Sequence, residues 1–208
     1  MSYFITIEGP EGSGKSTVIE GLQAYFDKHL PVITTREPGG IKISESIRSI
    51  ILDSDDKMDY RTEALLFAAS RRQHLVEKVL PTLKEGKMVI CDRFIDSSLA
   101  YQGYARGLGV EDILKINGYA IEGKFPDLTL YLHVPPEIGI ARIQSNSRET
   151  NRLDREKLDF HQRVVDGYEA LYKTYPERIV KIDATQSPEA VLNACIQVIN
   201  KRFNLDMI

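Results

Sequence analysis

The sequence predicts an α/β fold, a parallel sheet with helices on both faces, and three observations carry that expectation. Short runs rich in β-branched residues alternate with longer segments of helical period, the pattern of βαβ units. The length of 208 residues, set against a typical domain of roughly 150, allows one large domain or two very small ones, of which one is the simpler reading. The 42% of residues that are hydrophobic supply a core for one domain without disulfide or metal staples. We therefore expect a single domain over residues 1–208.

In chain order, strands are expected at Tyr3–Glu8, Pro31–Thr35, Met88–Asp92, Leu128–Val134 and Arg178–Asp183, with helices between them. A helical segment should run from Arg61 to Leu83, and a last helix from about Pro188 to Phe203. Ser187-Pro188-Glu189 gives that last helix a capping hydroxyl, a proline at its first position and an acid at its positive dipole end. Pro126, Pro135 and Pro136 punctuate the approach to and exit from the fourth strand. Asp53–Asp59 reads as a solvated acidic loop, whereas Ser145–Glu156 has almost no apolar residues but holds Arg148, Arg152 and Arg155. That second stretch is an exposed connector unless the chemistry calls for a mobile cationic lid.

Composition excludes several classes. Lys plus Arg (27) against Asp plus Glu (30) gives a net charge of −3, which argues against binding nucleic acid or anionic membrane through bulk charge. Tyr3–Ile7 is too short and wrongly flanked for a signal peptide, and no window approaches a membrane span. The two cysteines, Cys91 and Cys195, lie in apolar surroundings at a spacing unsuited to zinc or a disulfide framework, so a reducing cytoplasm is expected. The four histidines read as structural, with His74 alone bordering the acceptor elements described below.

Gly9-Pro10-Glu11-Gly12-Ser13-Gly14-Lys15-Ser16 fits G-x-x-x-x-G-K-[ST] between an expected strand and an expected helix. The glycines let the backbone turn tightly so that successive N–H groups face phosphate oxygens, and the helix adds its positive end. Lys15 is expected as a mobile charge, solvated in the empty loop, that reaches the β- and γ-phosphates. The Ser16 hydroxyl suits Mg²⁺, and Thr17 can bond the α-phosphate. Asp92 ends the third strand, where open α/β sheets bind ligands, and can serve the metal through water.

Neither D-x-x-G nor N-K-x-D occurs, which argues against a GTPase switch. Phosphoryl transfer to a small acceptor remains, and an acceptor that already carries phosphate needs a second anion site built from arginines, for which Arg48, Arg71 and Arg93 are candidates. Phe67 and Arg71 are one helical turn apart, as a ring and donor for a nucleobase would be; a core phenylalanine beside a solvated arginine is the other reading of that spacing. Ser98 and Gln102, also a turn apart with Tyr101 alongside, could read a base edge. The alternatives left by the residues are another nucleotide or deoxynucleoside kinase and a regulatory module that binds ATP without turnover.

The chain resembles the thymidylate kinases. The resemblance rests on Glu8–Thr17, Thr35-Arg36-Glu37-Pro38-Gly39-Gly40, Asp92-Arg93-Phe94 followed by Ser97–Gly103, Phe125–Thr129 and Arg152-Leu153-Asp154, in order along nearly the whole chain. It implies a P-loop kinase fold with a five-stranded parallel sheet and a flexible lid at about 145–156. It also implies ATP and Mg²⁺ as cofactors, dTMP as acceptor on the route to dTTP, and a homodimer. Gly9, Glu11, Gly12, Ser13, Gly14, Lys15, Ser16, Thr17 and Arg142 would bind ATP, Arg142 against the adenine. Phe67 would stack on thymine, Arg71 would meet O4, and Ser98 with Gln102 would serve the N3 side. Arg48 and Arg93 would bind the acceptor phosphate, Glu37 and Pro38 would join the acceptor site, and Tyr101 would crowd the 2′ position. Glu37 and Asp92 would act near the metal. Because the phosphate loop holds no arginine, the chain is similar to the bacterial members, whose lid supplies the catalytic cation: Arg148, with Arg152 second. Glu11 would then be free to hold the 3′-OH.

Overall fold

The computed structural model describes residues 2–53, 57–145 and 151–205. Five strands, β1 (Tyr3–Glu8), β2 (Val32–Arg36), β3 (Met88–Asp92), β4 (Leu128–His133) and β5 (Ile179–Asp183), form one sheet in the order β2-β3-β1-β4-β5, and every neighbouring pair is parallel. β1 and β3 have the expected bounds. β2 is shifted by one residue, β4 ends before Val134 and β5 begins after Arg178.

Strand residues alternate between two cores, as the period of two requires. Ile5, Ile7, Met88, Ile90, Leu128, Leu130 and Leu132 meet Val18, Ile19, Leu22 and Phe26 of α1 (Lys15–Phe26) and Val191, Cys195 and Ile199 of α9 (Pro188–Phe203). Phe4, Val89, Cys91, Tyr131 and Ile179 face the other way. Their partners come from α2 (Lys42–Leu52), α3 (Tyr60–His74), α6 (Val110–Ile121) and α8 (Leu158–Thr174). Both cysteines are buried free thiols, one in each layer.

The Arg61–Leu83 segment is helical in three pieces: α3, a wider π turn at Leu75–Val79, and α4 (Leu80–Lys84). The π turn lies just before Pro81, which cannot donate a backbone bond and crowds the preceding turn. Asp59 caps α3 by accepting from the N–H groups of Arg61 and Thr62, and Ser187 caps α9 through Ala190 N–H. Part of the acidic loop, Ser54–Asp56, lies outside the described residues. A second π turn, Leu99–Ala105, continues α5 (Ile95–Ser98), and α7 (Pro136–Ser145) leads to the arginine-rich stretch. No helix among the described residues is long and apolar enough to cross a membrane.

The register aligns the site. Ile7 pairs with Asp92 and Arg36 also pairs with Asp92, so the carboxyl ends of β1, β3 and β2 lie level. Arg93 N–H donates to Ile7 O at 3.0 Å and Glu37 N–H to Asp92 O at 2.9 Å, which carries that alignment into the loops. The chain crosses from β3 past β1 to β4 at this point, and such a reversal opens a crevice at the strand ends.

Candidate active site

A cleft of about 720 Å³ lies over these strand ends, with the phosphate loop at one side and α3 with the second π turn at the other. In the loop, Gly9, Gly12 and Gly14 have φ of 147°, 71° and 86°. A Cβ on Gly9 would lie 2.5 Å from Leu132 O, and one on Gly12 would strike the backbone of Gly139 in α7, so side chains are excluded sterically as well as conformationally. No side chain caps α1 and its first turn holds no acid, so its leading N–H groups and positive end are kept for an anion. Ser16 and Thr17 are exposed there.

Lys15 departs from the expected solvated charge. It is 8% exposed, and Nζ donates to Gly9 O at 3.2 Å, Pro10 O at 2.9 Å and Ser13 Oγ at 3.3 Å. Burial, followed by the charge of Arg93, lowers its pKa to about 8. The loop holds its lysine folded back on its own carbonyls.

At the top of β3, Arg93 adopts φ 68°. Its guanidinium donates to Gly9 O (2.9 Å), Ser97 Oγ (3.1 Å), the Tyr168 hydroxyl (3.2 Å), the Tyr101 hydroxyl (3.1 Å) and Glu11 Oε1 (2.6 Å). Glu8, fully buried beneath it, accepts from Phe94 N–H, Ser97 Oγ and the Tyr168 hydroxyl. Burial and then the nearby Asp96 push the Glu8 carboxyl up to about 7. Oδ1 of Asp92 is buried and has no hydrogen-bond partner among the described residues. An unpaired buried carboxylate oxygen lining the same cleft as the Ser16 hydroxyl fits a hard divalent cation held by oxygen ligands.

Across the cleft, Arg71 is not a solvated surface charge but 2% exposed. Nε donates to Glu37 Oε2 at 2.8 Å, Nη1 to Ser98 Oγ at 2.9 Å and to Asn117 Oδ1, and Nη2 to Phe94 O at 2.8 Å. Four of its five N–H groups are thus fixed, and one on Nη2 remains. Both oxygens of Glu37 are engaged, the second by His74 Nδ1 at 2.8 Å, whose Nε2 meets Thr35 Oγ1 at 2.7 Å. Glu37 therefore directs its carboxylate at Arg71 and His74. Phe67 is half-buried and lines the cleft with Ser98, Tyr101 and Gln102. Pro38 is buried, and its carbonyl accepts from Arg48 Nη1 at 2.9 Å. Burial and then Arg36 act against the Arg48 charge, an environment that favours an anion beside it.

Arg142 bridges α7 to the phosphate loop, donating from Nη1 to Ala184 O at 3.0 Å and Gly12 O at 3.3 Å. Arg148 lies outside the described residues. Arg152 is not a free lid cation: Nε donates to Ile51 O at 2.9 Å and Nη2 pairs with Glu63, while Leu153 is 7% exposed and packs in the core. The stretch after residue 150 thus has an apolar anchor that its polar composition hid. Sequence reasoning also missed Glu8, Glu63, Asn117, Tyr168 and Gly139. Only Glu63 carried a local signal, since it precedes Phe67 by one helical turn and Arg71 by two on α3.

The thymidylate kinase family model matches residues 7–195. A thymidylate kinase of Halalkalibacterium halodurans is 59% identical over 205 residues, covering 97% of this chain and 98% of that protein. One of Staphylococcus epidermidis is 53% identical over 201 residues, covering 97% and 98%. The crystal structure of thymidylate kinase from Ehrlichia chaffeensis superposes with a TM-score of 0.79 at 34% identity, covering 95% of this chain and 98% of that one. The matched span takes in the phosphate loop, the Asp92-Arg93 strand end and the α3 face opposite them, and the chain belongs to the thymidylate kinase family.

Proposed function

We propose that this protein is a kinase that transfers the γ-phosphoryl group of ATP to the 5′-phosphate of dTMP, giving dTDP and ADP in the supply of dTTP. The observation that carries the reading is the cleft itself, in which an uncapped phosphate loop faces an immobilised arginine and an aromatic ring across one shared volume. An oxygen of the acceptor phosphate attacks the γ-phosphorus as the bond to the β–γ bridging oxygen breaks. Little covalent work falls to the protein, so alignment and charge stabilisation dominate.

ATP lies with its β- and γ-phosphates on the N–H groups of Gly12 to Thr17, and Lys15 leaves its loop carbonyls to meet them. Arg142 flanks the adenine. Mg²⁺, held by the Ser16 hydroxyl and through water by Asp92, would neutralise charge on the transferring group when bound. Arg93 and Arg48 bind the acceptor phosphate, and Glu11 and Tyr101 face the deoxyribose. Phe67 stacks on the base, with the remaining Arg71 N–H, Ser98 and Gln102 on its edge. Arg148 supplies the lid cation; Arg152, committed to Glu63 and Ile51 O, anchors the lid's end. Exposed Ile43 and Ile50 on α2 and Leu65 on α3 offer apolar surface to a second copy, in keeping with a homodimer. Two buried free thiols suit a reducing cytoplasm.

Incubation of the protein with ATP, Mg²⁺ and dTMP, followed by separation of nucleotides, tests the reading. Equimolar dTDP and ADP are expected. ATP binding without dTDP formation would favour a regulatory module instead.

A further inference from the structure

Gln102 poses a question of polarity, because an amide can offer a base either a donor or an acceptor. Its Nε2 donates to Glu63 Oε1 at 2.8 Å, and Gln102 is 1% exposed. Glu63 is fully buried on α3, and its carboxylate also accepts from Arg106 Nε and Nη2, both at 3.4 Å, and pairs with Arg152 Nη2. Arg106 is held between the rings of Tyr60 and Phe160, 4.5 and 4.4 Å from their centroids, so this counter-charge is itself immobile. A carboxylate between two guanidiniums only accepts. It leaves Gln102 one satisfied orientation, with the NH₂ group on Glu63 and Oε1, which makes no hydrogen bond among the described residues, as the polar atom offered to the cleft that Gln102 lines.

We infer that Glu63 is a specificity-determining positioning residue, which locks the Gln102 carbonyl toward the acceptor base. This rests on the reading that Arg71 and Gln102 meet the base edge. Arg71, locked from behind by Glu37, offers a donor; Gln102, locked by Glu63, offers an acceptor beside it. The pair reads a keto oxygen next to a ring N–H, as in thymine. Cytosine presents the reverse, an amino group next to a bare ring nitrogen. Turning the Gln102 amide to suit cytosine would set Oε1 against the Glu63 carboxylate and leave buried polar groups unpaired.

The test compares kcat and KM for dTMP and dCMP in the wild type and in E63Q, E63D, Q102L and E63Q/Q102L. Glutamine at 63 both donates and accepts, so E63Q frees the Gln102 amide and should lower the dTMP-to-dCMP ratio of kcat/KM at least about tenfold, mainly through KM for dCMP. E63D, still a carboxylate, should keep most of the ratio, and in the Q102L background E63Q should leave it unchanged. Equal losses for both substrates in E63Q with the ratio intact would overturn the inference, as would a ratio shift of the same size without Gln102. Should E63Q fail to fold, E63Q/R152Q, which removes a cation along with the anion, carries the same readout and the same two outcomes. A wild type that accepts dCMP as readily as dTMP would instead overturn the underlying base-edge reading, before any variant is compared.

Discussion

Lys15 shows how burial ties the charge of a single residue to folding. Its pKa lies near 8 because burial, and next the charge of Arg93, penalise the ammonium. Below that pH the folded protein carries the full penalty. Between about 8 and the ordinary lysine value near 10.4 the unfolded chain binds a proton that the folded one has released, so this group's contribution to stability rises with pH there. Phosphate oxygens reverse the preference, so ATP binding at pH 9 should take up close to one proton and weaken by up to about tenfold per pH unit above 8. Calorimetry in two buffers of different ionisation enthalpy checks this, and binding at pH 9 without proton uptake would contradict it. Lys15→Ala should lower kcat at least about 1000-fold, since the charge is wanted on the transferring group. Its melting temperature should not fall, because a buried charge is removed. Glu8 has the opposite sign: its carboxyl, raised to about 7, contributes stability that is complete below its unfolded value and is lost as pH rises through 7. Glu8→Gln should flatten the pH dependence of unfolding free energy between pH 5 and 8, as followed by denaturant titration. That Phe67 and Arg71 share one face toward the cleft was legible in the sequence because one helical turn separates the two residues. The burial of Lys15 and the double engagement of Glu37 were not, because the groups responsible come from elsewhere in the chain, His74 lying 37 residues from Glu37.

At the scale of elements, the proposed mechanism makes its most specific demand on the stretch between α7 and α8. Arg148→Ala should lower kcat at least about 100-fold while dTMP affinity changes far less, the signature of an interaction made only in the transition state. Lysine at 148 should rescue only in part, lacking the planar fork. Arg152→Ala should act differently: loss of a cation on Glu63 should raise KM for dTMP more than it lowers kcat, as steady-state kinetics will show. Reversal of these two profiles would move the catalytic role to Arg152. The arginine content marked this stretch in the sequence, but composition could not reveal that Leu153 packs in the core, since one apolar residue has no period. Strands were readable to within a residue because the two sides of each meet different cores. The π turns were not, since widening a helix by one residue leaves no distinct spacing of apolar residues; their signal lay in Pro81 for the first alone.

For the whole molecule, strand order places the loop after β1 beside the Asp92 end of β3, with the α3 face across the same crevice, so the phosphate loop and the α3 face line one cleft. Homodimer formation predicts about twice the mass of 23.6 kDa by light scattering, and Leu65→Glu should shift the distribution toward the single chain. If this cleft phosphorylates one nucleotide, ADP release with ATP, Mg²⁺ and each of dTMP, dUMP, dCMP, dGMP and dAMP in turn measures it most directly. We expect dTMP to exceed dCMP and dGMP in kcat/KM by about 1000-fold or more, because buried groups stay unpaired or the larger base does not fit, and dUMP to fall short by only about 10- to 200-fold for its missing methyl. Comparable turnover of all five, or a preferred substrate other than dTMP, would contradict it.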